Sequence, residues 1–270
     1  MRASYLIGVV ARGSGSGWIG HGLRSPYGAG PRMKPRAGVG LTSVMVALTL
    51  TTGMIEAVSF LVLGPVFTAV QTGNLLFLAF ALTGAAGLSP AAAGVSCAAF
   101  AVGAVLGSRF ETIVDVHGRR WFVPGLMTEA LLLGLGGLVA WRTGVDEQGG
   151  PVTGHHFVVI ALVAAAMGVR NVTTLRVGVP DVPTTVSTRA LTALLGGLSP
   201  LADPRIGSGL RHEGRRFASV AAMFAGGLVG AWLLHEAVRP AVVLLVPAVV
   251  VLALGAVFWA MPRGRTSEPG

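Results

Sequence analysis

Four polar side chains in an otherwise apolar stretch are the residues best placed to do chemistry in this sequence. Thr49, Thr52, Glu56 and Ser59 follow one another at three- and four-residue steps, so on a helix they share one face. A charged side chain near the middle of a bilayer costs about 2.5–3.5 kcal/mol, so this face should not point at lipid. The pattern predicts a polar stripe inside a helix bundle, where an ionisable Glu56 would permit proton coupling.

The chain is interrupted soon after this stripe. Gly64-Pro65 breaks the apolar run, because proline lacks the N–H that a helix interior needs. Four more polar residues follow the break: Thr68, Gln71, Thr72 and Asn74. A broken membrane helix exposes backbone N–H and C=O groups that protein, water or a ligand must satisfy. The sequence therefore predicts a substrate-binding site that combines these four residues with Glu56 and Ser59.

A weaker copy of the same device occurs later in the chain. "GVRNVTTL" from Gly168 parallels "GMIEAVSF" from Gly53, and "TTVSTRALTALLGGL" parallels "TAVQTGNLLFLAFAL", allowing one residue of slippage. The second set of predicted site residues is Asn171, Thr184, Thr185 and Thr188. A kink without function is an equal alternative for either break alone, but paired interruptions favour a transport site. Arg189, in the second break, either reaches the headgroups or faces the cavity.

Two further charged residues fall within apolar segments. Glu129 and Arg170 each lie about two turns from the predicted cytoplasmic end of their segment, so they can meet. A buried charge needs a partner, and we interpret these two residues as a structural ion pair.

The composition of the chain indicates that its surface faces lipid and not water. Of its 270 residues, 53% are hydrophobic and 11% are charged, with a mean hydropathy of +0.73, whereas soluble domains carry about 25% charged residues. The net charge of +9 comes from basic residues between apolar runs, without interleaved aromatics, so we predict no nucleic-acid partner. A single cysteine excludes an internal disulfide, and the sequence predicts no metal site and no cofactor. His155-His156 is interpreted as a solvated loop.

Six segments are long and apolar enough to span a bilayer. They are 40–63, 88–108, 121–141, 157–177, 217–236 and 240–261. Two shorter segments, 65–86 and 180–200, are predicted to be broken or re-entrant, although hydropathy alone also allows eight crossings. The fold class is an all-α polytopic membrane helix bundle with an internal repeat, inverted because each half has three spans.

Loop charge gives the predicted orientation, because arginines and lysines concentrate on the cytoplasmic side. With six spans, the arginines of the loops 109–120 and 201–216 and of the C-terminal tail fall on one side. Both termini are therefore expected in the cytoplasm. The predicted organisation is a basic disordered tail at 1–37, a transmembrane domain at 38–262 with halves at 40–141 and 157–261, and a tail at 263–270. Translation from Met33 is an alternative start.

The stretches "GMIEAVSFLVLGPVFTAVQTGN" and "AMGVRNVTTLRVGVPDVPTTVSTRALT" resemble the YoaK-like family, described as domain of unknown function 1275. The similarity runs from Leu41 to Pro262. The family usually has Asp at Glu56, Asn-Met at Val70-Gln71 and Gly at Arg189. The resemblance implies a six-span protein of the bacterial inner membrane and assigns no activity.

Three classes of function remain. The first is a small-solute or ion transporter or channel with a mid-membrane polar site. The alternative is a non-transporting membrane scaffold or sensor that uses its arginine-rich loops. An enzyme is disfavoured because no nucleophile–base set, HExxH motif or phosphate-binding loop occurs. The expected partners are the lipid bilayer and an unknown small solute or ion, and the oligomeric state is open, a homo-oligomer included.

Overall fold

The computed structural model describes residues 39–116, 121–145, 152–178, 188–197 and 210–260. These residues form eight α-helices and contain no strand, which confirms the all-α prediction. The helices are α1 (Val39–Leu61), α2 (Gln71–Leu82), α3 (Pro90–Val116), α4 (Phe122–Thr143), α5 (Gly154–Val177), α6 (Thr188–Gly197), α7 (Leu210–His235) and α8 (Pro240–Ala260).

Six of these helices are long and apolar enough to cross a membrane, as predicted. They are α1, α3, α4, α5, α7 and α8. The other two, α2 and α6, have 12 and 10 residues, or about 18 and 15 Å at 1.5 Å per residue. A hydrocarbon core is about 30 Å thick, so neither can cross alone. The span predicted at 88–108 continues to Val116 and so carries charged residues that the prediction placed in a loop.

Side chains on the outside of the bundle are apolar. Leu131, Phe224 and Trp259 are among the large hydrophobic residues that are more than half exposed. The interior between α1, α4, α5 and α8 is also apolar and contains Leu48 and Leu126. Hydrophobic residues on both sides of a helix are expected where lipid replaces water as the outer solvent.

Helices α1 and α7 run side by side in the same direction. Gly226 of α7 lies so close to α1 that a Cβ on it would overlap the Leu50 carbonyl oxygen. Four residues further along both helices, Gly230 lies against Met54. Contacts that advance together along the two chains define a parallel pair, and the glycines permit the close backbone approach that favours helix association in lipid.

Helices α3 and α5 form a second parallel pair of the same kind. Gly103 of α3 lies against Ala165 of α5, and Gly107 lies against Val169. Here too the contacts advance by four residues on both helices.

Three other pairs of helices are antiparallel. Gly137 of α4 meets Leu245 of α8, and Gly255 of α8 meets Met127 of α4. Helices α4 and α5 also run in opposite directions, because Gly125 of α4 lies against Thr173 of α5 and Gly136 lies against Val163. Helices α7 and α8 reverse direction through a tight turn, in which the Val238 N–H donates to the Leu233 carbonyl at 3.0 Å.

These directions determine the number of crossings. Helix α1 is parallel to α7, and α7 is antiparallel to α8. Helix α8 is antiparallel to α4, which in turn is antiparallel to α5. Helices α1 and α5 are therefore antiparallel. Helix α3 is parallel to α5, so α1 and α3 also point in opposite directions. The connection between them, which contains α2, therefore begins and ends at the same membrane face. With eight crossings α4 and α8 would be parallel. The helix directions therefore contradict the eight-crossing alternative.

The interpretation of His155-His156 as a loop is wrong, and only His155 is exposed to the outside, as expected. Both residues lie in the first turn of α5, and His156 is buried. The His156 Nδ1 accepts a hydrogen bond from the Thr153 N–H at 3.1 Å. This arrangement caps the helix, and a capping histidine leaves no sequence signal beyond the threonine three residues before it.

We expect Gly226→Ala to weaken the bundle by about 1–3 kcal/mol, because the added methyl group meets backbone of α1 that cannot rotate away. The control is Gly227→Ala, where the nearest atom, the Gly53 carbonyl oxygen, would be 3.9 Å from the new Cβ. That change should be neutral or slightly stabilising, since alanine favours a helix. Thermal unfolding in detergent measures both, and equal melting temperatures would contradict this packing.

Candidate functional site

The first membrane helix ends at a conformational break. Helix α1 stops at Leu61, and Gly64 follows with φ of 112°, in the left-handed region that favours glycine. Pro65 then contributes no N–H. We call the non-helical residues 62–70 the break segment. Its backbone groups must find partners within the protein, because lipid offers none.

The Glu56 carboxylate accepts several hydrogen bonds from the break segment. Its Oε1 accepts from the Ala69 N–H at 2.6 Å, from the Thr68 N–H at 3.1 Å and from the Thr68 hydroxyl at 3.1 Å. Its Oε2 lies 3.3 Å from the same Thr68 nitrogen. Hydrogen bonds to a charged acceptor are stronger than neutral ones. The buried acid therefore satisfies backbone donors that the broken helix leaves free.

Asn74 of α2 satisfies both backbone groups of Phe67. Its Oδ1 accepts from the Phe67 N–H at 2.9 Å, and its Nδ2 donates to the Phe67 carbonyl at 2.5 Å. Ser96 of α3 donates to the same carbonyl at 2.6 Å. Gln71 completes the arrangement, since its Nε2 donates to the Thr68 carbonyl at 2.7 Å and its Oε1 accepts from Asn74 at 2.9 Å. We call Glu56, Thr68, Gln71, Asn74 and Ser96 the Glu56 cluster.

The structure thus brings together four of the first six predicted site residues and adds Ser96. Ser59 is fully buried on α1, and its Oγ has no hydrogen-bond partner among the described residues. Thr72 is exposed, because residues two positions apart lie on different sides of a helix and Asn74 is the buried one. Ser96 escaped prediction because a serine in an alanine-rich helix is ordinary.

The second predicted set lies away from the first. Asn171 is half-buried on α5, Thr188 is exposed at the start of α6, and Thr184 and Thr185 lie outside the described residues. Since α1 and α5 are antiparallel, their C-terminal ends lie at opposite membrane faces. Glu56 is five residues before the end of α1 and Asn171 six before the end of α5, or about 7.5 and 9 Å. The two sets therefore lie towards opposite faces.

Glu129 and Arg170 form an ion pair in the bundle interior, and both side chains are buried to at least 99%. The Arg170 Nε and Nη2 both donate to one oxygen of Glu129, Oε1. Glu129 Oε2 is buried without a hydrogen-bond partner among the described residues. The Nη1 of Arg170 turns to α1, where it donates to the Leu48 carbonyl at 2.9 Å and to the Thr52 hydroxyl at 2.6 Å. One guanidinium therefore joins α1, α4 and α5.

A second charged cluster lies at the ends of α3 and α5. Glu111 is fully buried, accepts from the Thr173 hydroxyl and lies 3.5 Å from the Arg176 guanidinium. Arg176 also pairs with Asp115 at 3.2 Å and lies 4.8 Å from the centre of the Trp121 ring. The sequence reading missed this cluster because it ended the second span at 108. The sequence did contain a signal for this cluster, because Glu111 and Asp115 are four residues apart and therefore share one helix face.

Comparison with known proteins places the chain. A family model described as "Protein of unknown function (DUF1275)" matches residues 44–257. The chain belongs to this family. A similar protein is the UPF0700 transmembrane protein YoaK of Bacillus subtilis (strain 168), which is 26% identical over 157 residues, or 58% of this chain and 67% of that protein. No solved structure is significantly similar. This DUF1275 protein is a multi-pass membrane protein, and the match spans the break segment and both charged clusters.

Proposed function

We propose that this DUF1275 protein is a transporter or channel for a small solute or ion, with the Glu56 cluster as part of its site. The observation that carries the proposal is a broken first span whose backbone is held by an acid and two amides at membrane depth. Charged and polar side chains are costly to place within the bilayer, so they are rare there unless they serve a substrate pathway or a binding site.

An internal inverted repeat is the second part of the proposal. Gly53 lies against Gly226 across the α1–α7 crossing, and Gly168 lies against Gly103 across the α5–α3 crossing. Each crossing belongs to a parallel pair of helices that contains one helix from each half. The α4–α8 crossing supports the same relation. Gly137 of α4 lies against Leu245 of α8, and Gly255 of α8 lies against Met127 of α4. Both contacts join equivalent positions of the two halves, because Gly255 is 118 residues after Gly137 and Leu245 is 118 residues after Met127.

The two halves run in opposite directions across the membrane, since α1 and α5 are antiparallel. Each half has one helix too short to cross, α2 in the first and α6 in the second. Inverted halves with interrupted helices are a recurring architecture of secondary transporters. Rocking of one half against the other would expose the two polar sets to opposite faces in turn.

Orientation and compartment are also proposed. Apart from the buried Arg170, the arginines with described side chains near the face where α1 begins are Arg109, Arg176, Arg215 and Arg216. Arg142 and Arg239 lie near the other face. This imbalance supports a cytoplasmic location for the α1-start face in the inner membrane. A reporter fused after Arg119 should therefore report the cytoplasm, and one fused after Glu147 the outside. A periplasmic signal after Arg119 would reverse the orientation.

Transport itself is tested by flux in proteoliposomes that contain the purified protein, screened against small polar solutes and ions with and without a pH gradient. Once a solute is found, we expect Glu56→Gln to lower its flux at least tenfold at matched protein levels, because the carboxylate that holds the break segment and can take up a proton is lost. Thr112→Ala is the control, since Thr112 is exposed on α3. Equal flux in wild type and Glu56→Gln would remove Glu56 from the site.

A non-transporting scaffold or sensor is the second candidate, and one observation favours it. The polar atoms of Asn74, Gln71 and Glu56 are all bonded within the chain, so the cluster could serve only to hold the break segment. If no solute or ion in the screen crosses the membrane while Glu56→Gln lowers only stability, this candidate is preferred.

A further inference from the structure

Arg170 lies between two buried acids. It is bonded to Glu129 of α4 on one side, and on the other its Nη1 is bonded to Thr52 of α1. Glu56 is four residues after Thr52, so it lies one turn further along the same face of α1. Thr52 therefore links the guanidinium to the part of α1 that carries Glu56. Arg170 is thus placed to offset the charge of Glu56 as well as that of Glu129.

Charge balance then requires a third positive charge in this region. Glu56 is at most 9% exposed, while Glu129 and Arg170 are fully buried. With both acids ionised, the three side chains carry a net charge of −1 inside a low-dielectric core, where an uncompensated charge is costly. One bound proton makes the group neutral.

On the long helices and α2, the other charged side chains that the structure describes have different surroundings. Helices α2 and α8 carry no charged residue. On α3, Arg109 is exposed, and Glu111 and Asp115 share Arg176. On α7, the Nη1 of Arg216 donates to the Ala193 carbonyl of α6. On α4 and α5, the remaining basic residues are Arg142 and Arg176 in the last turns and the histidines of the first turn of α5.

We propose that Glu56, Arg170 and Glu129 form one proton-binding unit that holds a single exchangeable proton. The atom that would take the proton is available, because Glu129 Oε2 is buried without a hydrogen-bond partner while Oε1 keeps its bonds to Arg170. Protonation forms an O–H bond at a carboxylate oxygen with a proton from water, and release breaks the same bond and returns the proton to water. When Glu129 holds the proton on Oε2, the charge of Arg170 offsets that of Glu56, and when Glu56 holds it, the charge of Arg170 offsets that of Glu129.

This unit deepens the proposed function, on which its role in transport rests, by identifying the proton as the coupling ion. Glu56 lies near the membrane face where α1 ends. Glu129 lies seven residues into α4, which begins at the face where α1 begins. A proton that moves from one acid to the other therefore shifts between the two faces. Because the bonds of Arg170 join α4 and α1 to α5, that shift is coupled to all three helices.

The test is infrared difference spectroscopy of the purified protein in detergent at neutral pH, which detects the C=O stretch of a protonated carboxyl group without any solute. We expect one such group in the wild type. Its signal should vanish in both Glu56→Gln and Glu129→Gln, because the single acid that remains is neutralised by Arg170. Arg170→Lys should retain the signal, and Arg170→Gln should double it. Glu111→Gln, which changes the fully buried acid of the second charged cluster, should leave it unchanged.

The result that would overturn the unit is a signal that survives at full strength in either single Gln variant, or a wild type without one. Should Arg170→Gln fail to fold, the two Glu variants and Arg170→Lys still decide the matter. Spectra as expected with no flux of any solute would retain the proton unit and reject transport. Flux that depends on Glu56 with no protonated carboxyl would retain transport and reject the unit.

Discussion

Replacing Arg170 by methionine should cost the protein about 3–5 kcal/mol of stability, the range found when one partner of a buried ion pair is removed. The variant loses the bonds to Glu129 on α4 and to Leu48 and Thr52 on α1. It also leaves two buried acids without a counter-ion. Three spans lose their common connection in a single substitution. Thermal unfolding in a mild detergent, with recovery of folded protein by size-exclusion chromatography, measures the loss.

The partner variant should be milder. Glu129→Leu removes one acid, but Arg170 keeps its acceptors on α1, the Leu48 carbonyl and the Thr52 hydroxyl. Combining it with Arg170→Met should cost less than the sum of the two single changes by at least about 1 kcal/mol, since the residues interact directly. Arg109→Met, an exposed arginine on α3, is the control and should change stability by less than about 0.5 kcal/mol. Additive losses would contradict a coupled pair.

The sequence alone predicted those features for which lipid makes the rule strict. Glu56 and Asn74 stand out because an acid or an amide in an apolar run must face protein, and both are buried in the structure. The six spans follow from the same rule, because their lengths match a bilayer. The depths of Glu129 and Arg170 could be counted from the segment ends because their helices are antiparallel.

Other features depend on tertiary contacts that no local pattern reveals. Ser96 contacts the break segment from α3, 29 residues after Phe67, and nothing in its neighbours distinguishes it from a packing serine. To predict that Asn74 is buried and Thr72 exposed, one must know at which residue α2 begins, since a shift of one residue turns a side chain by about 100° around the helix. The contact of Arg170 with α1 spans 118 residues, and charge pairing in the sequence suggested only its bond to Glu129.

Asn74→Asp should be among the most damaging single changes in the first half of the chain. The new carboxylate can still accept from the Phe67 N–H, but its second oxygen would face three oxygen atoms that Nδ2 now contacts, those of Phe67, Gln71 and Ser96. It also adds a negative charge to a buried cluster that already contains Glu56. Repulsion and lost donors together should exceed the 1–3 kcal/mol of one unsatisfied buried group.

Two comparisons separate the causes of that loss. Asn74→Leu removes the side-chain bonds without adding charge, and it should cost less because Ser96 still donates to the Phe67 carbonyl, leaving the Phe67 N–H as the main orphan. Thr72→Val, on the exposed side of the same helix, should be neutral. Acidification should partly restore Asn74→Asp and not Asn74→Leu, because a protonated carboxyl regains an O–H donor for the Phe67 carbonyl. Melting temperatures of the three variants across a pH series measure this. A pH-independent loss in Asn74→Asp would mean that the amide does not hold the break segment through its N–H donors.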